Sequence, residues 1–471
     1  FGSRLCASSP GDAPRQTIPQ ISRLPFTSMD RGTLRKDASP ARPDGVAAIE
    51  GDVNAAAEQS WAQPQPAAHA VLRDLSEAPI LDKTVPLSDQ DGFFNSAEIL
   101  ERFHEDGYVV VTDVFDKELV DRSILELWTS DQLLGRGAAD GRVVKRDDPR
   151  TWTKETWPQA DGGHNFLEPL DPYLVQSTWE LLQHQPVSDV FQLVWQECQG
   201  DGKKGERLFV TDKPRWGIMR PTKNNPEWKT QSKWLHWDQN PWTCPGFSGV
   251  QGFAQLSAGT GESGGLLLVP GAHTAFTTWG EAHPKGTVFH NGVEMTDHGR
   301  ERPFMVPEDD PLQRRVRRVV APAGSLVLWD SRIPHQNYPN TSADQFRHVV
   351  YLCFKGKSEI PQEEFDELLE RQYKRAQVHR AMGWDDVFWP SRLTELGAEL
   401  TGAPTREESE QGRLELEANE GLVQAIRIAH AAGVLEVNGQ INAAMLQMKR
   451  ANDAFKRVGD TIDSWSGALW G

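Results

Sequence analysis

Apolar residues change their spacing several times along this chain, and each change predicts a different kind of element. Over residues 1–86 they follow no period; Ala, Pro, Ser, Asp and Arg dominate, and the stretch reads as a disordered leader. From Ser96, Ile99, Leu100 and Phe103 recur at helical spacing behind a residue type that caps helices, which predicts a helix ending before Gly107. Residues 108–112 are a short apolar run of strand length, and 117–128 place Leu119, Ile124, Leu127 and Trp128 on one side of a second helix. The segment 146–163 reads as a loop anchored by Trp152 and Trp157, and 174–194 as one or two helices interrupted at Pro186.

From Leu208 the grammar becomes short apolar runs separated by Gly, Pro and Asn. Candidate strands are 208–210, 216–220, 233–237, 249–256, 265–269, 317–321, 325–329 and 347–354. That number of short strands, with candidate ligands on two of them, predicts a jelly-roll (double-stranded β-helix) core inside a mixed α/β fold. Residues 274–312, rich in Gly and Pro, read as an insertion over its mouth. After Phe354 the pattern is helical again: a charged helix over 362–382, another over 390–400, and an apolar seam from Val434 through Phe455 to Ile462, expected to pack within a monomer. The expected organisation is a leader over 1–86, a jelly-roll domain with N-terminal helices over 87–357 and a helical extension over 358–471.

Composition narrows the functional classes. The 471 residues carry a net charge of −17, which disfavours a phosphate-tracking surface and hence nucleic acid as a partner. No run approaches the roughly 18 apolar residues of a membrane span. Cys6, Cys198, Cys244 and Cys353 are scattered and form no Cys-x-x-Cys, so free thiols in a reducing, intracellular setting are expected, with the compartment left open because the sequence opens at Phe1. Seventeen Trp residues, several between Trp128 and Trp242, serve either as core or as the lining of a substrate channel.

Candidate chemistry centres on Trp234-Leu235-His236-Trp237-Asp238. In extended backbone His236 and Asp238 point to the same face, and His335 on a later strand can join them. Two imidazoles and one carboxylate on one side of a metal leave positions open for substrate and oxygen, as non-haem Fe(II) oxygenases require. Gln251 and Gln255 share one strand face and can either bind a cosubstrate or satisfy structure. Arg347 shares a face with Val349 and Tyr351, so if that face is buried the guanidinium needs an anion. Lys213 and Arg220 are weaker candidates for an anionic ligand, and His283, His290 and His298 in the insertion are expected to be solvated.

The order His236-x-Asp238, then Gly264-Gly265-Leu266-Leu267-Leu268-Val269-Pro270-Gly271-Ala272-His273, then His335 and Arg347, resembles the phytanoyl-CoA dioxygenase-like (PhyH) family of Fe(II)/2-oxoglutarate oxygenases. The likeness covers roughly 208–354 and fades back toward Ser96. It implies iron held by His236, Asp238 and His335, with 2-oxoglutarate and O2 as cosubstrates. Arg347 takes the place of the basic residue that pairs with the far carboxylate of 2-oxoglutarate, and His273 that of a turn-stabilising residue. Where family members often carry a small hydroxyl residue two places after the distal His, this chain has Asn337, so that contact departs from the pattern. Asp238 favours hydroxylation of a small organic substrate over halogenation. The other classes are a jelly-roll binding protein without turnover and a metal-dependent hydrolase.

Overall fold

The computed structural model describes residue 75 and residues 78–401, apart from 137–140, 154, 159–164, 168–174, 200–204, 211–214, 297–302 and 367–393. Most of the leader, Lys213, His298 and the C-terminal seam therefore lie outside the described residues. The strands in chain order are β1 Ile80–Leu81, β2 Val85–Pro86, β3 Tyr108–Thr112, β4 Phe166–Leu167, β5 Leu208–Val210, β6 Arg215–Met219, β7 His236–Trp237, β8 Val250–Gln255, β9 Gly265–Leu268, β10 Phe289–His290, β11 Val293–Glu294, β12 Phe304–Met305, β13 Arg317–Val319, β14 Ser325–Asp330, β15 His335–Tyr338 and β16 Arg347–Gly356. One sheet runs β1-β13-β9-β15-β7-β12; a larger one runs β2-β3-β14-β8-β16-β6-β4, with β5 also paired to β16.

Alternation along the strands decides which side of each sheet is filled by what. On β3, β14 and β16, Tyr108, Val110, Val327, Trp329 and Val349 join Leu266 and Leu268 of the smaller sheet in one apolar cluster, so the two sheets face each other across it. Their neighbours Val109, Val111, Leu326, Leu328, Val350 and Leu352 point the other way, into a second cluster shared with the helices. The larger sheet is thus buried on both sides, which is why β14 reads as an almost continuous apolar run. Among the described residues, four N-terminal helices contribute to that second cluster: Ser96–Asp106, Lys117–Thr129, Gln176–Leu182 and Gln185–Gln199.

Local chemistry fixes the helix ends. Asp116 caps the second helix by accepting from the Leu119 N–H at 2.7 Å, a contact worth about 1 kcal/mol. Gly107 closes the first at φ 73°, a left-handed turn that also brings the backbone against the His273 ring, where a Cβ would collide. Pro186 lies in the first turn of Gln185–Gln199, so the break expected there falls just before it, at a position where no backbone N–H is missed.

Three expectations need correcting. Order begins before residue 87, because Ile80–Leu81 pairs in parallel with β13 and Val85–Pro86 with β3. Two-residue strands carry no alternation by which to recognise them. The 274–312 insertion is partly regular, with helix Phe276–Ala282, the β10–β11 hairpin and β12, which extends the smaller sheet beside β7. Finally, Cys198 and Cys353 are not disulfide-bonded but Cys244 is, which departs from the all-thiol reading. Near the C-terminal end, helix Glu395–Thr401 sits within the range expected as helical; its Leu400 is buried in the helix-side cluster and the Glu399 carbonyl accepts from Arg207. Among the described residues no helix is long and apolar enough to cross a membrane.

Candidate metal centre

The ladder brings the two histidines together. His236 of β7 pairs directly with His335 of β15, and residues opposite one another in an antiparallel pair share a face. Their rings lie 4.6 Å apart by centroid. Asp238, just past the end of β7, turns its carboxylate between them, Oδ1 3.3 Å from His236 Nε2 and Oδ2 3.6 Å from His335 Nε2. The candidate ligand atoms of all three lie within 4.8 Å of one another, the spacing of a single ion's donors.

Each imidazole is oriented by its own strand. His236 Nδ1 lies 3.0 Å from the Trp234 carbonyl and His335 Nδ1 3.0 Å from the Ile333 carbonyl, both two residues back. A carbonyl can only accept, so both Nδ1 atoms carry a proton, and the Nε2 atoms face Asp238. Trp234 stacks on the His236 ring at 4.5 Å and 16°. Burial, reinforced by the charge His236 would carry, lowers the His335 pKa to about 4, which keeps its imidazole neutral near pH 7. A neutral imidazole on His335 is the protonation state in which a histidine can ligate a divalent metal.

Of the two roles the sequence leaves open for Gln251, the structure shows a structural one beside the donor set: Nε2 donates to Asp238 Oδ2 at 2.5 Å and Oε1 accepts from Trp329 Nε1 at 3.0 Å. Gln255, on the same face, is tied to the Ser257 carbonyl. Asn337 shares the His335 face of β15 and its Oδ1 lies 3.4 Å from the Tyr351 hydroxyl. The donor set opens into a cavity of 130 Å³ whose wall includes Trp234, Gln251, Trp329, Asn337, Tyr351 and, on β6, Arg215. Sequence reasoning missed Trp329, Tyr351 and Arg215 as lining residues, although the two-residue period of β16 already puts Tyr351 on the Arg347 face.

Arg347 is 1% exposed, and neither terminal guanidinium nitrogen has a hydrogen-bond partner among the described residues. Its guanidinium lies over the Phe253 ring, Cζ 5.0 Å from the ring centroid. Arg220 plays no part here: it lies between Trp157 and Trp228 and donates to the Trp152 carbonyl. His273 is buried against the His104 carbonyl, as expected of a turn-stabilising residue. His290, expected in solvent, is buried beside the Val306 carbonyl, and His283 stacks on Trp279.

Comparison with known proteins adds the following. A protein of Dictyostelium discoideum named for phytanoyl-CoA dioxygenase is 21% identical over 281 residues, 53% of this chain and 71% of its own length. Among solved structures, the epimerase SnoN with Fe3+, alpha ketoglutarate and nogalamycin RO is 17% identical and covers 55% of this chain and 83% of its own, with a TM-score of 0.34. Apo EctD from S. alaskensis is 17% identical over 62% and 91% with a TM-score of 0.36. Scores this low carry no argument about the fold. The family model for phytanoyl-CoA dioxygenase (PhyH), however, matches residues 103–349, more than half of the chain and all of the donor set, and the protein belongs to that family.

Proposed function

We propose that the chain is an Fe(II)- and 2-oxoglutarate-dependent oxygenase, its two facing sheets forming a double-stranded β-helix over residues 80–357, and that it hydroxylates a small organic substrate. The observation that carries this reading is the coexistence, on the facing sides of the two sheets, of a two-His, one-carboxylate donor set and a buried guanidinium whose terminal nitrogens have no partner among the described residues. Both features fit absent groups: the donor set leaves half of an octahedral ion's positions open, and Arg347 calls for a carboxylate.

His236, Asp238 and His335 would hold the iron, which when bound supplies oxygen activation coupled to conversion of 2-oxoglutarate to succinate and CO2. The chain's own contribution is positional. Arg347 offers two parallel N–H donors to the far carboxylate of the cosubstrate and fixes how deeply it enters. Asn337 and Tyr351, hydrogen-bonded to one another, present polar atoms on the cavity wall, while Trp234 and Trp329 keep water from the donor set. The Nδ1 tethers on His236 and His335 hold their tautomers so that ligation needs no proton rearrangement.

A zinc hydrolase could use the same three side chains but has no use for the buried Arg347. Anaerobic titration of the metal-free protein with Fe(II) and then 2-oxoglutarate tests the reading, followed by admission of oxygen and assay of succinate. The expected result is stoichiometric iron, iron-dependent 2-oxoglutarate binding and succinate formation. Zinc-supported hydrolysis that ignores 2-oxoglutarate would overturn it.

A further inference from the structure

The β7–β15 ladder that brings the two histidines together is thin: among the described residues its register pairs His335 with His236 and nothing more. The His335 ring takes its orientation from the Ile333 carbonyl, so it is only as fixed as the turn that holds Ile333. Residues 330–334 form that turn. The Asp330 carboxylate accepts from the Arg332 backbone N–H and its guanidinium at 2.8, 2.9 and 2.6 Å, and the Ile333 N–H donates to the Asp330 carbonyl at 2.9 Å. These bonds give the turn a shape but cannot hold it against β7. Two buried side chains from the β7 segment reach it instead, and they alternate in sequence with the donors His236 and Asp238. Trp237 Nε1 donates to the Arg332 carbonyl at 3.0 Å, and Gln239 Oε1 accepts from the Ser331 hydroxyl at 2.7 Å. Gln239 Oε1 also accepts from the Ser248 hydroxyl at 3.0 Å, and its Nε2 donates to the carbonyls of Cys244 and Gly246. Both lone pairs and both hydrogens of the amide are thereby used, so it cannot turn without breaking bonds.

We infer that Trp237 and Gln239 are positioning residues for His335: they clamp the turn at Ser331 and Arg332, and so hold the Ile333 carbonyl where His335 Nδ1 meets it. This rests on the metal centre of the oxygenase reading above. One short segment then serves the site twice, because His236 and Asp238 donate while the residues beside them hold the turn that presents the third donor. Neither Trp237 nor Gln239 touches the metal. Loss of the clamp leaves all three donors in the chain but lets the Ile333 carbonyl move, and the His335 ring with it, so metal affinity falls although no ligand has been removed.

The test is anaerobic Fe(II) titration of the full chain, each variant being made both in wild type and in His335→Ala. Gln239→Met keeps the side chain's length and removes its hydrogen bonds; it is expected to weaken Fe(II) binding about 10- to 100-fold. Trp237→Phe keeps a ring against Phe276 and Trp279 but loses the N–H, and should weaken binding about 3- to 10-fold. Ser331→Ala removes one bond of the clamp and leaves the rest of the amide's bonds in place, with an expected loss of about 3- to 10-fold. In His335→Ala, titrated to high metal concentration, none of the three should weaken the residual binding further, because the imidazole they position is gone. A role in stability alone would leave the metal affinity of the folded protein untouched, and a role through the adjacent Asp238 would give the same loss in both backgrounds. Unchanged Fe(II) affinity in Gln239→Met therefore overturns the clamp, as does a loss that persists undiminished without His335. Should Gln239→Met fail to fold, Trp237→Phe and Ser331→Ala decide, and wild-type affinity in both overturns it. These readouts do not involve turnover: a wild-type protein that binds iron but makes no succinate would defeat the oxygenase reading while leaving the clamp standing.

Discussion

The inner and outer faces of β16 bury neighbouring basic residues in opposite ways. Arg347 points between the sheets and His348 toward the helices; both are almost fully buried, and both have nitrogens without a hydrogen-bond partner among the described residues. A guanidinium keeps its charge, so an anion has to meet it. An imidazole can shed its proton instead. Burial in a nest of Trp128 and Phe346 pushes the His348 pKa down to about 3, helped by the charge of Arg146 and Arg347. The same kind of orphaned atom therefore calls for an anion on one face, as proposed for Arg347, and is compatible with neutral packing on the other. What separates them is whether the group can discharge itself.

The comparison breaks first at Arg347. Arg347→Ala should weaken 2-oxoglutarate binding by about 3–5 kcal/mol, the usual loss when one partner of a buried ion pair is removed, with Fe(II) affinity nearly unchanged. Arg347→Lys should recover only part, since an ammonium cannot make two parallel bonds. Anaerobic cosubstrate titration reads both, and unchanged affinity in Arg347→Ala would place the anchor elsewhere.

His348 sharpens the other side through pH. Its unfolded pKa is near 6.5 and its folded pKa about 3, so below pH 6.5 the unfolded chain takes up a proton that the folded chain refuses. Stability from this group is complete above pH 6.5 and falls as pH drops, by about 2–3 kcal/mol on reaching pH 4.5. Denaturant unfolding at pH 7 and 4.5 measures it. His348→Phe should flatten that difference by about one proton's worth, and an equally steep profile in the variant would contradict the assignment.

The smallest expected effect lies between these faces, at Tyr351. Its hydroxyl reaches Asn337 at 3.4 Å, a long hydrogen bond worth no more than about 1 kcal/mol. Tyr351→Phe should therefore change 2-oxoglutarate affinity by a few fold at most. A loss as large as that of Arg347→Ala would mean that the hydroxyl, rather than the guanidinium, holds the cosubstrate.

These differences follow what a sequence can carry. His236 and Asp238 were legible because an extended segment aims positions two apart at one point, and Arg347 because alternation on a ten-residue strand is unambiguous once one face is buried. His335 could be nominated as a histidine on a later strand, but its place opposite His236 is set by the β7–β15 register, which no local pattern carries. Gln251 was placed on the inner face, but its bonds to Asp238 and Trp329 were not legible, because which groups an amide meets depends on the pairing of β8 and β14, set by contacts far apart in the chain. β1 and β2 were hidden for a related reason, because a two-residue strand is defined by its partner and not by its own pattern.

The account stands most directly on metal and cosubstrate binding measured in order, with wild type and His335→Ala side by side under anaerobic conditions. The wild type should take one Fe(II) and only then bind 2-oxoglutarate; His335→Ala should lose tight iron binding and, with it, iron-dependent cosubstrate binding, while remaining folded. Tight 2-oxoglutarate binding to metal-free wild type, or full iron affinity in His335→Ala, would contradict it.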